Sequence, residues 1–273
     1  MKIMFLGTSS GAGKTTLCAM YCRYLHKKGV KVAPFKAVNL SSVSYKTEDG
    51  YEIGIGQALQ AAASGTKPVP DMNPVLLKYS DGKLSVYTEG KRQSEIKSGQ
   101  FLDTESALSA AVSSFDRLSS EYDAVVCEGS GSPAELNMRD RDIANTGMMR
   151  ERNIPAVLTG DIERGGVFAA LYGTWKLMPD DIRPLVKGFV INRFRGDPKL
   201  LASGIERIES LTGMKYLGTV PYASFPLPEE DSLSSPGKDN SADIARSVEY
   251  LDKMIEAAEN SGFYFSLFEK VYG

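Results

Sequence analysis

The sequence predicts an α/β fold: a mostly parallel sheet covered by helices on both faces, giving three layers. Two observations lead there. Short runs that are apolar throughout alternate with longer stretches of helical periodicity along the chain. A glycine-rich segment, FLGTSSGAGKTTL at residues 5–17, lies between the first apolar run and the first helical one.

The apolar start, Lys2–Leu6, is too short for a signal-peptide core and runs straight into the glycines, so it reads as a strand. Further strands are expected at Val30–Pro34, Ala124–Cys127, Ala156–Thr159, Lys187–Ile191 and Tyr216–Val220. Helices are expected at 15–28, 53–64, 104–120, 140–152, 166–177, 199–212 and 242–260. Residues 228–241 read as an irregular loop, and 67–100, with weak periodicity and turn signals, as a second irregular segment with room for a hairpin. With no repeat and no low-complexity linker, residues 1–273 are expected to form one domain.

Bulk composition narrows the function classes. Of 273 residues, 42% are apolar and 24% charged, ordinary for a globular protein, and the net charge of -2 gives no reason to expect nucleic acid as a partner. No run reaches the ~18–20 apolar residues of a membrane span. Three cysteines, Cys18, Cys22 and Cys127, lack framework spacing and point to reduced thiols in a cytoplasmic setting. Cys18 and Cys22 lie four apart on one helix, but with a single histidine, His26, they make no metal site.

The loop carries the chemistry. Counting back from Gly13-Lys14-Thr15, the phosphate-loop pattern G-x-x-x-x-G-K-[ST] expects its first glycine at Thr8, whereas the glycine present is Gly7. Such a strand–loop–helix turn converges backbone N–H groups on phosphate oxygens, Lys14 neutralises the β- and γ-phosphates, and the Thr15 hydroxyl helps hold Mg²⁺. The fold class is therefore a P-loop NTPase-type sandwich. Partitioning and septum-placing ATPases carry an extra lysine where Ser9 stands here; the longer loop resembles that of dethiobiotin synthetase, a carboxylate-activating enzyme.

Other polar groups follow the strands, where ligands bind in open α/β sheets. Glu128, in CEGSGS, leaves the strand at 124–127 and can serve Mg²⁺. Glu52, with Asp49 as its competitor, opens a helix and is either a second ligand or a first-turn acid. Lys36 points into the same cleft. The segments NMRDRDIAN (137–145), GDIERGG (160–166) and INRFRGD (191–197) all follow apolar strands, so Arg139, Arg141, Arg164, Arg193 and Arg195 converge on one edge and suit a polycarboxylate substrate.

Taken together, GTSSGAGKTTL, VAPFKAVNLS, DGYEIGIGQALQA, DMNPVLLK, EGSGSPAELNMRDRDIANTGM, GDIERGGVFAALYGT, VKGFVINRFRGD, GMKYLGTVPY and LPEEDSL resemble the amino-terminal synthetase domain of the cobyric acid synthase family, over residues 3 to 233. The resemblance implies a dethiobiotin-synthetase-like fold and ATP-dependent amidation of peripheral carboxylates of adenosylcobyrinic acid a,c-diamide through acyl phosphates. It implies ATP held by Thr8, Gly11, Ala12, Gly13, Lys14, Thr15 and Thr16, with Asn192 reading adenine. Mg²⁺ would sit on Thr15, Glu52 and Glu128. The Asp140–Asp142 pair would lie beside the reacting carboxylate; with Lys14 and Lys36 it makes the expected catalytic set, and Arg139, Arg141, Arg164 and Arg195 are the expected substrate contacts.

Val38 stands where the family usually has glutamine and Ile55 where it has arginine, with Gly56 for alanine; these departures bear on the substrate. The family's glutaminase domain is expected to be missing, so ammonia is expected free or from a separate glutaminase subunit; a homodimer stays open. Two alternatives remain: another carboxylate-activating ligase on this scaffold, and an ATP-switched partner- or membrane-binding ATPase. The aromatic tail at 261–273 favours the latter only if it is a surface anchor, and with Glu269 and Lys270 as its charges it reads instead as a helix packing on the core or on a glutaminase partner.

Overall fold

The computed structural model describes residues 1–80, 83–97, 100–223 and 241–272. The expected irregular segment at 228–241 lies, except for its last residue, outside them. The chain opens with strand β1 (Lys2–Gly7), the glycine loop and helix α1 (Lys14–Lys27), then β2 (Val32–Phe35). Short strands β3 (Val38–Ser41), β4 (Ser44–Lys46) and β5 (Glu52–Gly54) lead into α2 (Ile55–Ala63). A meander of β6 (Val75–Ser80), β7 (Lys83–Thr88) and β8 (Lys91–Ile96) precedes α3 (Thr104–Glu121) and β9 (Ala124–Glu128). After α4 (Met148–Arg152) come β10 (Ala156–Asp161), α5 (Val167–Leu177), β11 (Val186–Phe194), α6 (Ala202–Thr212) and β12 (Lys215–Pro221). Helices α7 (Ser241–Asn260) and α8 (Glu269–Tyr272) end the described chain.

The main sheet has six strands in the order β12-β11-β10-β1-β9-β2, every pair parallel. The three-layer expectation is met, and the pleat explains why. In β1, Ile3 and Phe5 join the core under α1 and α7, while Met4 and Leu6 join the core under α3, α5 and α6. β9 divides the same way, Ala124 and Val126 against Val125 and Cys127, so each strand is apolar on both faces. The aromatic tail packs inward: Phe263, Phe265 and Phe268 are fully buried, and Phe268 stands edge-on to Phe5 and Tyr21.

Three expectations are corrected. Residues 67–100 hold more than a hairpin: β6, β7 and β8 run antiparallel and β3 joins β6 in parallel, making a four-stranded second sheet. Its β7–β8 turn is the pair Glu89-Gly90, both at positive φ, as a tight hairpin requires. The helix expected from 53 begins at Ile55, because Glu52–Gly54 pair with Ser44–Lys46 in a ribbon. The helix expected at 140–152 is broken into a 3₁₀ turn (Leu136–Arg141), a π turn (Ile143–Gly147) and α4. Asp142 restarts the helix by accepting from the amides of Asn145 and Thr146, and the Gly147 amide closes the wide turn onto the Asp142 carbonyl at 2.9 Å.

Candidate active site

The carboxyl ends of the central strands open into a cleft of about 780 Å³ that Gly11, Gly13, Lys14, Thr15 and Thr16 line. Gly13, at φ 98°, caps α1, whose first turn carries no acidic residue and no side-chain cap. Its amides are thus left to an anion. A Cβ on Gly13 would stand 2.0 Å from Asn192 Nδ2. Asn192 lies at the end of β11 and ties the loop down by donating to the Ala12 carbonyl at 2.9 Å. Ala12 is buried, and Thr8 is held by its backbone N–H donating to the Thr159 carbonyl at 2.9 Å; neither is among the cleft-lining residues.

Lys14 folds back over the loop, donating to the Ser9 carbonyl at 3.0 Å and the Gly131 carbonyl at 2.9 Å. Gly7 makes this path available, since a Cβ there would meet the ammonium at 2.7 Å. The glycine that falls one place early in the sequence pattern is where the lysine crosses β1.

Glu128 is the buried centre, 1% exposed. Its Oε1 accepts from the Thr15 hydroxyl at 2.7 Å and from Lys36 Nζ at 3.0 Å; its Oε2 accepts from Gln60 at 2.6 Å and Gln57 at 3.3 Å. Burial alone would push this carboxyl up, but the Lys36 charge and the bonds from Thr15, Gln60 and Lys36 outweigh it and hold it below the ordinary carboxylate value. Gln57 and Gln60 were not singled out in the sequence. Their spacing of three on α2 is the available signal, since it puts both amides on one helix face. Gln60 also donates to the Thr15 carbonyl at 3.3 Å, joining the first turn of α1 to β9.

The expected metal donors divide. Thr15 and Glu128 lie together, a hard-oxygen pair that fits Mg²⁺ alongside phosphate oxygens. Glu52 is not a cleft-lining residue: its carboxylate accepts from Ser44 and from Lys78, both at 2.6 Å, across the ribbon and the second sheet. To join the metal it would have to leave both.

The charged segments divide as well. Arg141, Arg164 and Arg193 line the cleft. Arg139 instead donates to the Leu177 carbonyl at 2.9 Å, and Arg195 pairs with Glu163 and lies 3.3 Å over the Tyr222 ring. Asp142 lines the cleft, but both its oxygens are engaged in capping Asn145 and Thr146. Asp140 is exposed on the 3₁₀ turn and is not among the lining residues. Of the positions that depart from the resemblance, Val38 lines the cleft and Ile55 is buried at the start of α2.

A nucleotide-binding loop, a buried acid on the neighbouring strand and an asparagine two strands away on the other side match one family model, the CobQ/CobB/MinD/ParA nucleotide binding domain, over residues 3–232. The chain belongs to that family. Within it, the chain is 50% identical to a probable cobyric acid synthase of Methanoculleus marisnigri over 86% of this chain and 48% of that protein. A probable cobyric acid synthase of Methanoregula boonei is 51% identical over 86% of this chain and 49% of its own length. The chain thus spans about half the length of the curated relatives it matches. Among solved structures, the MinC:MinD cell division protein complex of Aquifex aeolicus is similar with a TM-score of 0.47 and 16% identity, over 95% of this chain and 94% of that one. Among the described residues, no helix is long and apolar enough to cross a membrane.

Proposed function

We propose that this CobQ/CobB/MinD/ParA-family domain is the ATP-dependent synthetase of a corrinoid amidase, converting peripheral carboxylates of cobyrinic acid a,c-diamide into amides. The observation that carries the reading is the 50% identity, over 86% of the chain, to relatives named probable cobyric acid synthase. The Thr15–Glu128–Lys36 cluster supports it as chemistry. A substrate carboxylate oxygen attacks the γ-phosphorus of ATP, the bond to the ADP oxygen breaks, and an acyl phosphate results. Ammonia then attacks the acyl carbon, phosphate leaves with the C–O electron pair, and a proton passes to water.

In this scheme Lys14 leaves its carbonyl partners for the β- and γ-phosphates, and Lys36 faces the transferring phosphoryl group. Thr15 and Glu128 would hold Mg²⁺, which supplies charge neutralisation on the phosphates. Asn192 would read the adenine, and Arg141 and Arg164 would pair with substrate carboxylates. The three thiols, Cys18, Cys22 and Cys127, are fully buried with pKa values pushed up chiefly by burial, Cys22 to about 12, so none can act as the nucleophile that frees ammonia from glutamine. The buried thiols support a reading in which nitrogen reaches this site as ammonia, free or delivered by a glutaminase.

The test is purified protein with MgATP, the corrinoid diamide and either ammonium or glutamine, following ADP and amidated corrinoid. Corrinoid-dependent ADP release with ammonium is expected. Its absence refutes the reading.

A further inference from the structure

The strand order splits the cleft around β1, and the two sides differ in chemistry. On the β10–β12 side stand Asn192, Arg193 and Pro221. On the β9–β2 side the wall is built from chain leaving those strands and from the residues before α3: Leu40, Phe101, Met138 and Arg141. Leu40 is 55% exposed, Phe101 65% and Met138 42%, large apolar side chains left in water within one cleft. The Arg141 guanidinium carbon lies 3.5 Å from the Phe101 ring centroid, a flat cation on a flat ring. From this juxtaposition we infer that Phe101, Met138 and Leu40 form the acceptor platform, taking the apolar face of a broad carboxylate-rimmed macrocycle, with Arg141 pairing a rim carboxylate.

The inference rests on the corrinoid reading above and adds which residues choose the acceptor. Continuity with the phosphate loop points to the occupant, because Lys36 and Thr15 line the same cleft as this wall, and an acceptor lying on it would share that cleft with a bound nucleotide. The charge also fits. Arg141 lines the cleft against the Phe101 ring, a pairing suited to an amphipathic anion and unsuited to a short linear dicarboxylate, which has no face to cover Phe101.

Equilibrium dialysis of cobyrinic acid a,c-diamide against the full chain, with a non-hydrolysable ATP analogue and Mg²⁺, tests it in three arms: parent, Phe101→Ala with Met138→Ala, and Arg141→Lys. The double variant is expected to bind the corrinoid about tenfold or more weakly, with analogue affinity within about twofold of the parent. Arg141→Lys is expected to keep the charge, lose the flat pairing and weaken corrinoid binding by about threefold to tenfold. A parent that does not bind the corrinoid overturns the corrinoid reading and this inference with it. A parent that binds while the double variant binds equally well overturns the platform alone. A double variant that changes sedimentation but not corrinoid affinity marks the face as a subunit contact and also overturns it.

Discussion

Replacing Glu128 by glutamine removes one charge and almost no volume, so it isolates what the buried pair with Lys36 does. The two side chains are 1% and 6% exposed and meet at 3.0 Å. At an effective dielectric near 20 their attraction is about 5 kcal/mol. Desolvating two ions costs several kcal/mol each, so the intact pair adds little net stability. Breaking it is another matter. In Glu128→Gln the Lys36 ammonium faces a neutral amide, and the new NH₂ group points at donors, either Thr15 and Lys36 or Gln57 and Gln60. The expected loss is about 3 kcal/mol, read as a lower urea midpoint with an unchanged slope. Lys36→Met in the same chain removes the charge that faced Glu128 and is expected to recover about 2 kcal/mol relative to the sum of the single losses. A Glu128→Gln midpoint equal to that of the parent, or strictly additive single losses, would refute the buried pair.

Three further outcomes are expected. Gly13→Ala combines a φ of 98° with a contact of 2.0 Å to Asn192 Nδ2, so it should cost about 2–3 kcal/mol and weaken nucleotide binding; adding Asn192→Ala should relieve the collision but not the backbone strain, leaving about half the loss. Complete recovery of the urea midpoint in the double variant would show that strain is absent. Asp252 on α7 is held down at about 2, against an ordinary 3.8, chiefly by its bond from Arg23 and also by Lys27. A depressed carboxyl stabilises the fold above about pH 4 and loses that contribution as pH falls through 2, so the deficit of Asp252→Asn, about 1 kcal/mol at pH 7 after solvent screening, should close over that window. A deficit that is constant from pH 7 to 2.5 contradicts the assignment. Finally, an aromatic disulfide reagent at pH 8 should leave all three thiols untouched in the folded protein and titrate three in denaturant, since each is fully buried; rapid labelling of any one before unfolding would disprove that burial.

The parts of this molecule that were readable in the sequence are those whose cause is local. Each main-sheet strand is apolar on both faces, so a short run such as Ile3–Leu6 announces a buried parallel strand. Lys14, Thr15 and Glu128 follow from loop spacing and from position at a strand end. The second sheet was legible only as a weak hairpin, because β3 finds β6 across a long loop, Val38 opposite Val75, and its strands alternate poorly. Glu52 read as a helix-opening acid for the same reason: the ribbon that claims it is a tertiary pairing. Gln57 and Gln60 carry no charge and sit at an ordinary helical spacing, and nothing local tells a glutamine that bonds a buried carboxylate from one in solvent. Asp142 illustrates the reverse error, a cleft acid whose oxygens the backbone takes first.

The two lysines of the site make different hydrogen bonds, and in the proposed scheme that difference would order the events of binding. Lys14 donates to the carbonyl oxygens of Ser9 and Gly131, both dipoles. Exchanging a carbonyl for a phosphate oxygen replaces a charge–dipole contact with a charge–charge one inside a sheltered cleft, so an arriving triphosphate gains from drawing Lys14 away. Lys36 rests on a full carboxylate that also binds Thr15, Gln57 and Gln60. A phosphate alone cannot outbid that set without stranding Glu128; a divalent cation on the same carboxylate can, because it supplies the charge Lys36 gives up. In the proposed scheme a divalent cation on Glu128 would have to accompany the nucleotide for Lys36 to turn toward the transferring phosphoryl group, so that the lysine would not meet an acceptor carboxylate at an unloaded site.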